Sequence, residues 1–291
     1  MEYVRDVMKD FSRALFLVAD NQEDNKGDVG DKYCHGAVLP YETELLCCIK
    51  AWRQNGGKFA KIPIYVVCPT LKGISKETVK KITDLGAFYW HEYKPETDFY
   101  KCGYWNVPLA GMMLEKANFC KEQILIHIDL DMMLMKAPTD NLLSVCQTSM
   151  ATIGINEHRP TARYPDFDGK IYPHEANTGF IVSWAGDKFY TKWYKRLADL
   201  TKLLDQQNPP EYSIYEERVI DLMHFEEGIY MEFVEKYQVN GDVSEYTDEE
   251  IMNLYFFHGH ANMKERNQKY WSIYLRRLTD AKRNNKYAQK R

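Results

Sequence analysis

The sequence has few cysteines, and none of them lies at the spacing of a metal-binding or redox pair. Its seven cysteines are scattered over 291 residues, and no two of them form a C-x-x-C pair. An odd number without paired spacing argues against a disulfide framework or a cysteine zinc site, and it favours a reducing compartment. We therefore expect a protein whose fold is held by its core and not by cross-links.

Long apolar segments are also missing. No run approaches the roughly 18 apolar residues of a membrane-spanning helix, and the run from Ala14 to Ala19 is too short for the apolar core of a signal peptide. The sequence therefore predicts no transmembrane segment and no leader. We expect a cytoplasmic protein, or one domain of a larger protein.

Basic charge is not in excess. Lysine and arginine number 38 against 42 aspartates and glutamates, which gives a net charge of −4. Nucleic-acid-binding proteins usually carry an excess of positive charge on their surface. No nucleic-acid partner is therefore expected. The exception is the tail within residues 266–291, "YLRRLTDAKRNNKYAQKR", which predicts a basic amphipathic helix. That helix is either solvated or makes peripheral contact with an anionic membrane or a partner domain.

The chain shows neither repeats nor a low-complexity linker. Its length permits one large domain or two small ones, and the missing linker favours a single domain over residues 1–291. Residues 12–135 alternate apolar strands such as "ALFLVAD" with amphipathic helices such as "YETELLCCIKAWRQN", whereas residues 136–265 are less regular. In the latter part, "YMEFVEKYQV" fits a strand or a helix. The alternation predicts an α/β fold with a mostly parallel central sheet flanked by helices.

Two aspartates follow the fourth predicted strand, in "QILIHIDLD". Side chains at i and i+2 of a strand share one side, so Asp129 and Asp131 are predicted to converge where α/β sheets bind ligands. Two such carboxylates repel each other unless a cation neutralises them. Oxygen ligands suit Mg²⁺ or Mn²⁺, which completes its shell with water and substrate phosphates. The alternative is that one aspartate caps the turn and the other is solvated.

The motif resembles that of a known family. An apolar strand, Asp-x-Asp, further apolar residues and a proline resemble the nucleotide-sugar glycosyltransferases of the GT-A fold, in particular the glycogenin-like and galactosyltransferase-like groups. Three further segments match in the same order, over roughly residues 12–265: "NTGFIVSW", "EYSIYEERVIDLM" and "FFHGHAN". The resemblance implies a Rossmann-like, nucleotide-binding first half over residues 12–135. It places sugar and acceptor contacts in residues 136–265.

The resemblance also implies a metal site. Carried over, Asp131 is the main ligand of Mn²⁺ or Mg²⁺, and Asp129 contacts the ribose or reaches the metal through water. His258 completes the metal shell, and imidazole suits Mn²⁺. His260 is the alternative, because residues i and i+2 could both face the ion.

Further contacts to the donor are implied by position. Asp20 would meet the nucleobase or ribose, Asn177 would bind sugar hydroxyls, and Gly179 would permit close backbone approach. Lys101 and Lys264 would offset the negative charge of the diphosphate. Tyr104, three residues after Lys101, would contact the donor as well. Each has a structural alternative as a turn cap or a surface side chain.

An acidic pair opens the helix in "YEERVIDLM". Glu216 and Glu217 could simply stabilise the helix N-terminus. The resemblance instead places a carboxylate near the anomeric carbon of the donor sugar. It would deprotonate the acceptor in an inverting enzyme, or shield an oxocarbenium-like centre in a retaining one. Both mechanisms stay open, and Glu217 is the favoured residue.

Together these features predict a metal-dependent glycosyltransferase. It would move a sugar from a nucleoside-diphosphate sugar, by analogy a UDP-sugar, to a hydroxyl on a glycan or glycoconjugate. One alternative is a nucleotidyltransferase that makes sugar nucleotides, but the glycine-rich phosphate loop of that class has no counterpart in "LVADNQEDNKGDVGDK". The other is a non-catalytic glycan-binding relative.

Overall fold

The fold is known from a computed structural model. It describes residues 12–19, 41–93, 105–117, 124–130, 132–145, 148–156, 175–204, 215–233, 238–239 and 247–258. Within these ranges the strands are β1 Arg13–Val18, β2 Ile64–Cys68, β3 Phe88–His91, β4 Ile124–Ile128, β5 Met132–Leu134, β6 Ala151–Asn156, β7 Glu175–Trp184, β8 Tyr230–Phe233, β9 Gln238–Val239 and β10 Phe256–His258. The helices are α1 Tyr41–Asn55, α2 Lys76–Asp84, α3 Asn106–Lys116, α4 Phe189–Leu204, α5 Tyr215–Glu227 and α6 Asp248–Asn253.

Seven strands form the central sheet, in the order β3-β2-β1-β4-β7-β6-β8. Every neighbouring pair is parallel except the two pairs made by β7, which runs antiparallel to β4 and to β6. The predicted α/β class with a mostly parallel sheet is therefore confirmed. All residues of β1 and β4 are buried, as expected for central strands covered on both faces.

A second, three-stranded sheet has the order β5-β10-β9. The segment "YMEFVEKYQV", which fitted either a strand or a helix, contains two strands. Strand β8 lies at the edge of the large sheet, and β9 lies in the small one. Strand β10 pairs antiparallel with β5, and the two residues of β9 lie parallel to it. The small sheet thus joins distant parts of the chain.

Two apolar clusters cover the faces of the large sheet. On one face, α1 and the small sheet pack around Trp52, Met133 and Phe256. On the other face, α3, α4 and α5 pack around Trp105 and Trp193. None of the helices in the described ranges is long and apolar enough to cross a membrane.

Helices α3 and α4 pack closely because of two residues of α3. A Cβ at Gly111 would lie 2.1 Å from Cγ of Tyr190, so only glycine admits the tyrosine ring there. One turn later, Glu115 accepts the N–H groups of Tyr190 and Thr191, each at 2.9 Å. These N–H groups in the first turn of α4 have no partner within the helix. Burial raises the pKa of Glu115, although these hydrogen bonds oppose the rise.

Candidate functional site

The carboxyl ends of β1, β2, β3 and β4 meet at one edge of the sheet, because these strands are parallel. Asp129 stands at this edge, one residue beyond β4. Strand β7 enters here because it is antiparallel to β4: Ile128 pairs with Phe180, and the N–H of Asp129 donates to the carbonyl of Gly179 at 2.9 Å. The segment "NTGF" of β7 is thereby placed beside Asp129.

Strand β4 does not extend into Asp129 and Leu130. Strand β4 ends at Ile128, and the N–H of Met132 donates to the carbonyl of Asp129 at 3.0 Å. This bond closes a turn, because the chain has to leave the parallel sheet to form β5 in the small one. The predicted convergence of the Asp129 and Asp131 carboxylates stays a prediction. Asp131 itself lies outside the described residues.

His258 reaches the same edge through the small sheet. It pairs with Met132 across β10 and β5, and its side chain is buried. A Cβ at Gly179 would lie 3.0 Å from Cε1 of His258, 3.1 Å from Sδ of Met132 and 3.2 Å from Oδ1 of Asn177. Glycine therefore leaves the space that the imidazole ring needs. Asp129 and His258, which come from distant parts of the chain, both adjoin Gly179.

Strand β7 bulges at this point. The pairing with β6 jumps from Ile153 opposite Ile181 to Gly154 opposite Asn177, so that three residues of β7 have no counterpart on β6. Within the bulge, Oδ1 of Asn177 accepts the N–H of Gly179 at 3.2 Å. Bulges re-aim side chains and are common beside active sites. Here the bulge contains or adjoins two buried polar residues, Asn177 and Thr178.

Helix α5 holds this part of β7 through two carboxylates. The hydroxyl of Thr178 donates to Oε1 of Glu216 at 3.2 Å, and the N–H of Ala176 donates to Oδ1 of Asp221 at 3.2 Å. Glu216 is buried, whereas Glu217 is partly exposed. The two members of the predicted acidic pair therefore differ: Glu216 is buried against β7, and Glu217 is partly exposed.

His127 was missed in the sequence. It lies on β4, and its Nε2 is 3.2 Å from Oδ1 of Asp129. The available signal was a single imidazole in the otherwise apolar stretch "ILIHI", two residues before the aspartate and so on the same side of the strand. Thr178 was missed as well, because its contact with Glu216 depends on the packing of α5 against β7.

The donor set suits a hard divalent cation. A carboxylate from Asp129 and an imidazole from His258 are ligands that Mn²⁺ accepts, and Mg²⁺ favours the carboxylate. Within the described ranges, no group of three or more His, Cys, Asp or Glu side chains is arranged to hold a metal ion. The main predicted ligand, Asp131, belongs to the part of the chain that is not described, so the metal site stays a prediction.

Several other predicted residues fall outside the described ranges: Asp20, Lys101, Tyr104, His260 and Lys264. The basic tail over residues 266–291 does so as well. Of the predicted site residues, the structure brings together Asp129, Asn177, Gly179 and His258. Glu216 is linked to them through Thr178.

No known family model and no curated protein sequence matches the chain. Solved structures do. The galactosyltransferase LgtC, in complex with donor and acceptor sugar analogs, has a TM-score of 0.54 and 12% identity, over 84% of this chain and 86% of its own. Mouse xyloside xylosyltransferase 1 has a TM-score of 0.48 and 10% identity, over 86% and 98%. GlyE of Streptococcus pneumoniae TIGR4 has a TM-score of 0.42 and 11% identity, over 77% of this chain and 46% of its own. In its apo form GlyE is matched over 64% of its length, so the chain spans less than two-thirds of GlyE.

The likeness to LgtC shows a shared fold. Both chains are matched over more than four-fifths of their lengths. The predicted GT-A type of α/β fold is thereby confirmed.

Proposed function

We propose that this protein is a glycosyltransferase that moves a sugar from a nucleoside-diphosphate sugar to a hydroxyl of a glycan or glycoconjugate, with Mn²⁺ or Mg²⁺ as cofactor. One observation carries the proposal: Asp129 and His258 both adjoin Gly179 at the carboxyl edge of a sheet of the kind found in LgtC. This edge is where α/β folds bind nucleotides. A UDP-sugar is the default donor.

The metal would be held by Asp131, Asp129 and His258. A bound divalent cation stabilises the negative charge that develops on a departing diphosphate. Asp129 suits a second task as well, because its side chain is 36% exposed and can accept hydrogen bonds from ribose hydroxyls. Asp20, Lys101, Tyr104 and Lys264 are proposed to complete the donor contacts.

The carboxylate closest to the chemistry is proposed to be that of Glu217. Its partly exposed side chain, in the first turn of α5, can meet a substrate, whereas Glu216 accepts the hydroxyl of Thr178. Glu217 would either take the proton of the acceptor hydroxyl or stabilise positive charge at the anomeric carbon. Glu216 and Asp221 would hold β7, and with it Asn177, in place beside the sugar.

A thermal-shift panel tests the donor site. UDP, GDP, ADP and CDP are each added with and without Mn²⁺. A ligand at 100 times its dissociation constant adds about 2.7 kcal/mol of stability, which gives a measurable rise in Tm. We expect UDP to raise Tm only when Mn²⁺ is present. If no nucleotide raises Tm with or without the metal, the proposal loses its donor site.

Asp131→Ala tests the metal ligand. We expect loss of the Mn²⁺-dependent shift and of UDP-sugar turnover, with an unchanged Tm in the absence of ligand. The matched control is Asp187→Ala, which removes an exposed aspartate far along the chain from the motif and should leave both readouts as in the wild type. Full turnover by Asp131→Ala would refute the assignment.

A further inference from the structure

A buried histidine stands behind the candidate site with no role in the proposed function. His127 is 1% exposed in the middle of the sheet, on a strand whose other four residues are apolar. Its ring centroid lies 4.9 Å from that of Phe16 on β1. Burying an imidazole among apolar side chains is unfavourable unless the ring forms hydrogen bonds. An apolar residue would fill this position at lower cost.

The polar contact of His127 is directed at the site. Its Nε2 lies 3.2 Å from Oδ1 of Asp129. Its Nδ1 has no hydrogen-bond partner in the described part of the chain. Because an ionised carboxylate only accepts hydrogen bonds, the proton of the ring is assigned to Nε2.

Asp129 is thereby fixed at three points. Its N–H donates to Gly179, its carbonyl accepts from Met132, and its Oδ1 accepts from His127. A carboxylate offers about four lone-pair positions, and the imidazole occupies one of them. The side chain is 36% exposed, so part of the carboxylate still faces outward. The imidazole therefore orients this group without covering it.

We propose that His127 is a positioning residue, which holds the carboxylate of Asp129 in the orientation that receives the metal-bound nucleotide. The inference rests on the proposed function. Hydrogen-bond partners that orient metal-site ligands typically contribute 10- to 100-fold to affinity or activity. A positioning role also explains why a costly polar side chain is kept inside β4. It predicts that removing the imidazole impairs binding without impairing the fold.

Two substitutions separate the N–H from the ring. His127→Phe keeps an aromatic ring against Phe16 and removes the donor. His127→Gln places an amide N–H near the position of Nε2. The control is Leu125→Val, on the same side of β4 and in the same core, which should lower Tm without changing nucleotide affinity.

The experiment measures the Kd of UDP at saturating Mn²⁺ by calorimetry, and Tm without ligand. For His127→Phe we expect a Kd about tenfold higher or more, with a ligand-free Tm equal to or above that of the wild type. His127→Gln should restore most of the affinity. A purely structural histidine would give the opposite pattern in His127→Phe: a lower Tm and an unchanged Kd.

The outcomes distinguish this inference from the proposed function. If the wild type binds none of UDP, GDP, ADP and CDP with Mn²⁺, the proposed function fails and the inference fails with it; if it binds another of these nucleotides, that nucleotide replaces UDP in the comparison. If the wild type binds and His127→Phe binds equally well, only the inference is overturned. A loss of affinity in His127→Phe that His127→Gln does not recover overturns the role of the N–H. Should His127→Phe fail to fold, His127→Leu takes its place in the same comparison.

Discussion

The two ends of the central strands bury polar residues in different ways. At the amino end, Arg13 on β1 donates from Nε to the carbonyl of Leu143 at 3.0 Å. Its Nη2 atom lies 4.0 Å from Oδ1 of Asp140, and its Cζ atom lies 5.3 Å from the ring centroid of Phe59. At the carboxyl end, His127 and Asp129 meet at 3.2 Å. Both arrangements place a polar side chain deep in the sheet.

The difference lies in what remains accessible. The side chain of Arg13 is 4% exposed, and Lys58 also pairs with Asp140, so the polar groups at the amino end are engaged by one another. Burial lowers the pKa of Arg13, and Asp140 opposes this change. Asp129 instead keeps 36% of its side chain exposed. The amino end therefore serves the fold, and the carboxyl end retains capacity for a ligand, as expected for parallel α/β sheets.

The largest effect on stability is predicted for Arg13→Ala. Removing a buried, hydrogen-bonded cation leaves the carbonyl of Leu143 without its donor. We expect a loss of about 3 kcal/mol in the free energy of unfolding, at the low end for a broken buried pair because Lys58 remains beside Asp140. Denaturant unfolding measures this change. The Kd of UDP with Mn²⁺ should be unaltered.

Lys61→Ala is the control for Arg13→Ala. Lys61 is exposed near the same end of the sheet, and its removal should change stability by less than about 0.5 kcal/mol. A loss below about 1 kcal/mol in Arg13→Ala, or a weaker nucleotide affinity, would contradict the division between the two ends.

The sequence predicted those features of the two sheet ends that depend on local pattern. Continuous apolar runs predicted β1 and β4, which the structure confirms. The resemblance predicted one site for Asp129 and His258, and both residues adjoin Gly179. The turn after Ile128 was not predicted, because it depends on the pairing of β5 with β10, more than a hundred residues away in the sequence. Pairing at that separation is decided by tertiary packing and leaves no periodic signal.

The contacts of Glu216 and His127 were not predicted from the sequence, for a different reason. The charge pattern of "YEER" does not show which carboxylate turns toward β7. That depends on the bulge that presents Thr178 to Glu216. For His127 the signal was present, since alternation puts it on the side of Asp129. An apolar strand nevertheless predicts burial and gives no partner for the imidazole.

An intermediate effect is predicted for Gly179→Ala. The new Cβ would lie 3.0 Å from Cε1 of His258 and 3.1 Å from Sδ of Met132, so the imidazole has to shift. We expect a loss of about 1 kcal/mol of stability, at the low end for overpacking. Because the displaced ring is a predicted metal ligand, the affinity for UDP with Mn²⁺ should fall about tenfold.

Gly186→Ala is the matched control for Gly179→Ala. A Cβ at Gly186 meets no atom within 4 Å, and its φ is not positive. Stability and affinity should both stay at the wild-type values. If Gly179→Ala loses stability but keeps its affinity for UDP with Mn²⁺, then the contact with His258 serves packing alone. The carboxyl end would then have a structural role like that of the amino end, contrary to our proposal.

The smallest effect on stability is predicted for Asp129→Asn, although its effect on binding should be large. Asparagine keeps an oxygen that can accept the N–H of His127 and removes the negative charge. Because the carboxylate is partly exposed, we expect the ligand-free unfolding free energy to change by less than about 0.5 kcal/mol. The Mn²⁺-dependent rise in Tm with UDP should be lost.

Asp129→Asn gives the sharpest contrast with Arg13→Ala, because one should remove stability and the other should remove binding. If Asp129→Asn destabilises the ligand-free protein by more than about 1 kcal/mol and leaves the UDP-dependent shift intact, the carboxylate is structural. A carboxylate kept for a ligand behaves differently. Its charge contributes little to the folded state until the cation arrives, so the variant should lose the ligand's stabilisation and nothing else.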